Sequence, residues 1–124
     1  MSDLLFKQES FQVIGLCVEV HRILGHGLDE VVYKDALQHE FKQAGIPFAR
    51  ERGFEIQYKS VVLSHAYFAD FVVFDKFILE DKAVQCLGPA HIKQTLNYLA
   101  ASRLPLGLLV NFGEASLKHH RVVL

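Results

Sequence analysis

Three ionisable residues fall where a buried hairpin would ordinarily carry apolar ones. The stretch Tyr67 to Val84, YFADFVVFDKFILEDKAV, reads as two β-strands joined by a tight turn. Asp70 lies on the first strand, with Glu80 and Lys82 on the second. Side chains alternate between the faces of a strand, so Glu80 and Lys82 share a face, as do Asp70, Val72 and Phe74. With a three-residue turn at Asp75-Lys76-Phe77, Phe74 pairs with Ile78 and Asp70 with Lys82. Glu80 then stands diagonal to Asp70 on the same face. A two-residue turn at Asp75-Lys76 would instead set Asp70 against Asp81 and send Glu80 and Lys82 to the other side. Three-residue hairpin loops with a bulge are common, so the convergent register is available.

Two carboxylates and an ammonium on one half-buried surface cost desolvation energy unless they serve one another or a metal. Oxygen ligands on neighbouring strands suit Mg²⁺, which keeps most of its waters and takes one or two protein carboxylates plus a phosphate. A lysine beside such a site could orient the attacking water or stabilise charge developing on the phosphate. The competing reading is a cross-strand ion pair on a wet sheet face, worth a few tenths of a kcal/mol.

The elements around this hairpin follow from periodicity. Residues 6–24 carry apolar positions at helical spacing, and Gly25-His26-Gly27 makes a break. A second helix runs from about Asp29 to Ala44, ended by Gly45 and Pro47. Phe54 to Tyr58 alternates as a strand, Lys59-Ser60 reads as a turn, and Val61 starts a return strand that can run on into the central hairpin. Gly88-Pro89 opens a helix to about Ser102, Leu106 to Phe112 is a continuous apolar strand, and residues 119–124 form a last strand. Two helices, three antiparallel strands, a helix and two strands make one α/β domain over residues 1–124, with a mixed β-sheet flanked by helices.

Two polar positions on these helices bear on the hairpin. Glu30 begins the second helix in line with Tyr33, Leu37 and Phe41, so it either caps the helix N-terminus or points into a polar site. His91, Gln94 and Tyr98 form a polar stripe on the third helix, as a solvated face also would.

Taken together, these segments resemble a known family. Gly27-Leu28-Asp29-Glu30-Val31-Val32-Tyr33 matches the signature of the GxxExxY proteins, a branch of the PD-(D/E)xK nuclease-like superfamily. The likeness continues through Tyr67 to Asp70, the triplet Glu80-Asp81-Lys82, His91 to Leu99 and Leu106 to Gly113, and so covers nearly the whole chain. It implies a restriction-endonuclease-like core with the acidic site on the sheet hairpin, and it favours the three-residue turn. By the same resemblance Asp70 and Glu80 would hold Mg²⁺ or Mn²⁺, Glu30 would join the metal from its helix, Lys82 would be the catalytic lysine, and Gln94 would border the site. His91 and Tyr98 are its less secure neighbours. One residue departs from the pattern: the middle of the triplet is usually apolar, and here it is Asp81. It shares a face with Phe77, Leu79 and Ala83, so it must find a partner, for which Lys76 and Arg121 are candidates, or reach solvent.

Composition sets the outer limits. Hydrophobic residues make up 51% and charged ones 22%, as in a folded globular domain rather than a disordered chain. No apolar run reaches membrane-spanning length, and MSDLLFKQES lacks the form of a signal peptide. Cys17 and Cys86 have neither metal-ligand nor redox spacing and lie in apolar surroundings. Core packing in a reducing cytoplasm is therefore expected. A net charge of −1 gives no overall basic footprint.

The expected function is thus metal-dependent phosphodiester hydrolysis in DNA or RNA, with Lys93, Lys118, Arg103 and Arg121 as candidate phosphate contacts. The alternative is a catalytically weak nuclease-like fold serving as an accessory or self-assembling module. Its homo-oligomer would pair through the apolar C-terminal strand ending Val122-Val123-Leu124.

Overall fold

A computed structural model describes residues 4–124; the first three residues of the expected single domain lie outside the described part. The elements come in the expected order: α1 (Lys7–Leu24), α2 (Glu30–Ala44), β1 (Phe48–Tyr58), β2 (Val61–Val73), β3 (Phe77–Lys82), α3 (Pro89–Ser102), β4 (Gly107–Asn111) and β5 (Lys118–Val122). The five strands form one sheet in the order β1-β2-β3-β4-β5. Only β3 and β4 run parallel, and α3 supplies the crossover such a pair requires. This is a mixed sheet with helices on both faces, consistent with a restriction-endonuclease-like α/β fold. Among the described residues, no helix is long and apolar enough to cross a membrane.

One face of the sheet packs Phe71, Val73, Phe77, Leu79, Leu108, Val110 and Phe112 against Val13, Cys17 and Val20 of α1 and Tyr33, Leu37 and Phe41 of α2. The other face packs Val72, Ile78 and Leu109 against Leu99 of α3. Buried side chains of this size contribute about 1.5–3 kcal/mol each. Tyr33 stacks on Phe112 with ring centroids 4.7 Å apart. Its hydroxyl donates to the Gly25 carbonyl at 2.7 Å and accepts from the Leu28 N–H at 3.2 Å. That tyrosine therefore locks the Gly25–Gly27 break, where both glycines take positive φ (71° and 106°), and so sets where α2 begins.

Three sequence expectations change. Strand β1 starts at Phe48 rather than Phe54, pairing with β2 from Phe48↔Val73 onward. The β2–β3 turn is Phe74-Asp75-Lys76, closing on Val73↔Phe77, so Asp70 faces Glu80 across the hairpin and not Lys82. The reason lies in Phe74. Its N–H still donates to the Pro47 carbonyl at 2.8 Å, the next step of the β1–β2 register, but its left-handed backbone ends the pairing with β3, and its ring lies against Phe77, 6.2 Å between centroids. Phe74 and Asp75 both have φ of 58°, the left-handed pair of a tight hairpin turn. Cys86 also differs from expectation: Cys17 is buried in the core, but Cys86 is exposed.

Candidate functional site

The hairpin comes apart where its charged residues begin. Ala69 and Val72 both pack toward α3 while Phe71 and Val73 pack toward α1 and α2, so the strict alternation of β2 slips by one residue at Asp70. On the facing strand Glu51 has a φ of 55°, unusual inside a strand for a residue with a Cβ, and it drops out of the β1–β2 register, which shifts again between Glu55 and Gln57. Strain of this kind costs on the order of 1–3 kcal/mol and persists where the surroundings enforce it.

Side chains replace the missing ladder bonds. Glu80 Oε2 accepts the Asp70 N–H at 2.7 Å, and Asp70 Oδ2 accepts the Asp81 N–H at 3.0 Å. The other Asp70 oxygen, Oδ1, lies 2.8 Å from Lys34 Nζ, which also meets Glu51 Oε1 at 2.6 Å. Burial opposes a charge on Lys34, but its hydrogen bonds to Asp70 and Glu51 outweigh that and hold its pKa above the ordinary lysine value.

Glu30 resolves toward the site. Asp29 is the N-cap residue of α2, and Glu30, in the first turn, brings its carboxylate to Asp70 and Asp81. One oxygen from each of Glu30, Asp70 and Asp81 lies within 4.8 Å of the others. Burial raises the Glu30 pKa, and Asp70 adds to the rise, while Lys82, Lys34 and the Ala83 backbone oppose it. Burial, with Asp70 next, also lifts Glu80 and Asp81 well above the carboxylate range.

Asp81 lies on the α1–α2 side, as alternation from Phe77 and Leu79 requires, and is fully buried. Neither expected partner reaches it. Lys76 pairs with Glu9 at 2.6 Å, and Arg121 donates to Ser10 Oγ at 2.8 Å and to the Leu5 carbonyl. Arg121 is accordingly spent on the N-terminal segment rather than available to a phosphate. Both Asp81 carboxylate oxygens lack a hydrogen-bond partner among the described residues.

The remaining predicted residues stand around this cluster. Glu80 sits opposite Asp70 but outside the group of three, alternating onto the α3 side. Lys82 ends β3, half-buried, and forms no direct ion pair among the described residues. On α3, Gln94 Nε2 donates to Tyr98 Oη at 3.4 Å. Burial pushes the Tyr98 phenol up to about 12, with Glu80 and Asp70 contributing, which places the phenol near the acids. His91 serves its own helix instead, its Nδ1 accepting the Gly88 N–H at 2.9 Å.

Sequence reasoning missed Lys34 and Glu51. Lys34 was within reach, because it follows Glu30 by four residues and so shares its helix face. Glu51 carried no signal, since its role depends on a left-handed backbone inside a strand.

The donors present suit a hard divalent cation. All are carboxylate oxygens, and those of one residue, Asp81, are buried with no hydrogen-bond partner among the described residues. The three oxygens lie within 4.8 Å of one another, near enough to be drawn onto one cation with metal–oxygen bonds of about 2.1 Å.

Comparison with known proteins agrees with this architecture. The crystal structure of SSO0001 superposes with a TM-score of 0.60 at 17% identity, covering 95% of this chain and 57% of that one. The likeness extends to the fold, and the chain spans little more than half the length of SSO0001. No curated protein matches the chain in sequence. A family model described as the PD-(D/E)XK nuclease superfamily matches residues 7–122, from the start of α1 to the end of β5. An acidic hairpin held in a mixed sheet, and a family match across nearly its entire length, make this chain a member of the PD-(D/E)XK nuclease superfamily.

Proposed function

We propose that this protein is a metal-dependent phosphodiesterase of the GxxExxY branch, acting on DNA or, less readily, RNA. The observation that carries the reading is the convergence of Glu30, Asp70 and Asp81 within 4.8 Å at the point where the β2–β3 hairpin opens. Asp70 and Glu30, with the acidic end of β3 (Glu80 and Asp81), provide the oxygen ligands. A bound Mg²⁺ or Mn²⁺ supplies Lewis acidity toward the phosphate and its attacking water. The Lys82 ammonium, without a direct ion pair among the described residues, positions that water or offsets charge gathering on the phosphate. Lys34 Nζ, 2.8 Å from Asp70 Oδ1, holds that carboxylate at the opening. Gln94 offers its amide to the substrate from α3, its orientation steadied by Tyr98. A net charge of −1 gives weak nonspecific attraction to long nucleic acid, so substrate choice depends on a partner or a second copy. A cytoplasmic location suits that substrate.

The test is a cleavage assay on single- and double-stranded DNA with and without Mn²⁺, run on the parent, Asp70→Ala and Lys82→Ala. Metal-dependent cleavage by the parent, abolished in Asp70→Ala, supports the reading. Unchanged cleavage in Lys82→Ala removes that lysine from the mechanism.

One observation favours a second reading, a self-assembling or accessory module. Strand β5 is an edge of the sheet, and Val123 and Leu124 beyond it are exposed. Light scattering over a range of concentrations separates the two, since a monomer at high concentration removes the assembly.

A further inference from the structure

Asp81 occupies a position that packing alone would give to an aliphatic residue. Its neighbours along that face, Leu79 and Ala83, belong to or pack against the apolar cluster of α1 and α2, which also contains Cys17. An acid there forgoes the packing a leucine would provide and bears a desolvation cost of several kcal/mol unless something compensates it. Lys34 offsets only part of it, and Asp70, itself an acid within hydrogen-bonding reach, can at most share a proton with it. Asp81 is 0% exposed, and both its oxygens are without a hydrogen-bond donor. Buried polar atoms nearly always have partners, so an unpartnered pair in a single side chain calls for one.

The carboxylate does not sit at random. It is aimed into the space shared with Glu30 and Asp70, where an oxygen from each lies within 4.8 Å. Glu80 is arranged differently. It stands outside this group, with Oε2 committed to the Asp70 N–H at 2.7 Å. That bond holds the β2 backbone at the point where the alternation slips, and so holds Asp70. Acidic side chains outnumber basic ones here: among the described residues, Glu30, Glu51, Asp70, Glu80 and Asp81 gather around Lys34 and Lys82. A divalent cation would relieve much of that imbalance at the spot where the unpartnered oxygens point.

We propose that Asp81, Asp70 and Glu30 are the direct carboxylate ligands of the divalent cation, and that Glu80 is a positioning residue acting through the Asp70 backbone. This rests on the metal-binding part of the proposed function. It moves the cation to the α2 side of the sheet and gives the anomalous residue of the triplet a ligand's role.

The experiment is a calorimetric titration of the full chain with Mn²⁺ alone, paired with thermal melts with and without saturating Mn²⁺. The variants are Asp81→Asn, Asp81→Leu, Glu80→Gln and Asp70→Asn. The expected result for Asp81→Asn is at least about tenfold weaker Mn²⁺ binding and a reduced rise in melting temperature with the ion. Asp81→Leu should melt higher than the parent without metal and lose the response to Mn²⁺, which separates a lost ligand from a damaged fold. Glu80→Gln should bind Mn²⁺ within a few-fold of the parent. Parent-like binding by Asp81→Asn together with lost binding by Glu80→Gln would overturn this assignment and leave the proposed function standing. Undiminished binding by Asp70→Asn, or no binding by the parent, would overturn both.

Discussion

Asp81 and Asn111 lie on adjacent strands, one residue apart in the parallel β3–β4 register, and each is completely buried. They could hardly be served more differently. Asn111 Oδ1 accepts the N–H groups of Val84 and Gly113, both at 3.0 Å, and its Nδ2 donates to the Val84 carbonyl and Glu114 Oε2, both at 2.9 Å. Every site on that amide is satisfied, and the result is a clamp on the chain leaving Lys82. A Cβ at Gly113 would collide with the Val84 backbone, so the closeness of the two segments depends on that glycine as well. Asp81 has two oxygens and no partner for either among the described residues. Burial with full satisfaction builds structure; burial with none, among other acids, is the observation behind the proposed ligand role of Asp81.

The contrast can be broken or sharpened by substitution. The largest expected effect is on activity. Asp70→Ala should lower metal-dependent cleavage about a thousandfold or more, since it removes a proposed metal ligand and frees Lys34 from its buried partner. Single-turnover rates on DNA would measure this. Next, Lys82→Ala should slow cleavage about a hundredfold while Mn²⁺ affinity stays within a few-fold, read by combining the assay with calorimetry. A parallel loss of affinity would place Lys82 in holding the acids apart rather than in chemistry.

Stability should separate the two buried residues themselves. Asn111→Ala leaves three backbone groups of the Val84 and Gly113 segment unpaired, a loss of about 2–4 kcal/mol by chemical denaturation. Asp81→Leu should go the other way in metal-free protein, raising the melting temperature by at least about 3 °C. If both substitutions destabilise alike, Asp81 is another clamp and the comparison fails.

The smallest effect concerns pH. Burial raises the folded-state pKa values of Asp81, Glu80 and Glu30. Between the ordinary carboxylate range, about 4, and those higher values, the folded chain binds more protons than the unfolded one. This stabilising contribution is full below about pH 4 and is lost as pH rises through the raised values. Melting temperatures of metal-free protein should therefore fall from pH 5 to 8, and the slope should flatten in Asp81→Leu.

Much of the molecule was legible in residue patterns. Helical spacing in residues 6–24, the Gly25–Gly27 break and the Gly88-Pro89 start all mark elements near their observed limits. Alternation put Asp81 on the face of Phe77 and Leu79, where it lies. The expected pairing of Asp70 with Lys82 failed because the turn forms one residue earlier, with Phe74 and Asp75 both in left-handed backbone. A phenylalanine gives no local signal for that conformation.

What the sequence by itself determined is the order of elements, the two apolar faces of the sheet and the presence of Glu30, Asp70, Glu80, Asp81 and Lys82, because periodicity and residue chemistry are local properties. Only the tertiary structure decided which of those acids meet. A slip at Asp70, a left-handed Glu51 and the arrival of Lys34 from α2 turn Asp70 toward Glu30 and Asp81 and leave Glu80 to hold the backbone. Side-chain convergence depends on backbone distortions enforced by distant packing, and these have no signature along the chain.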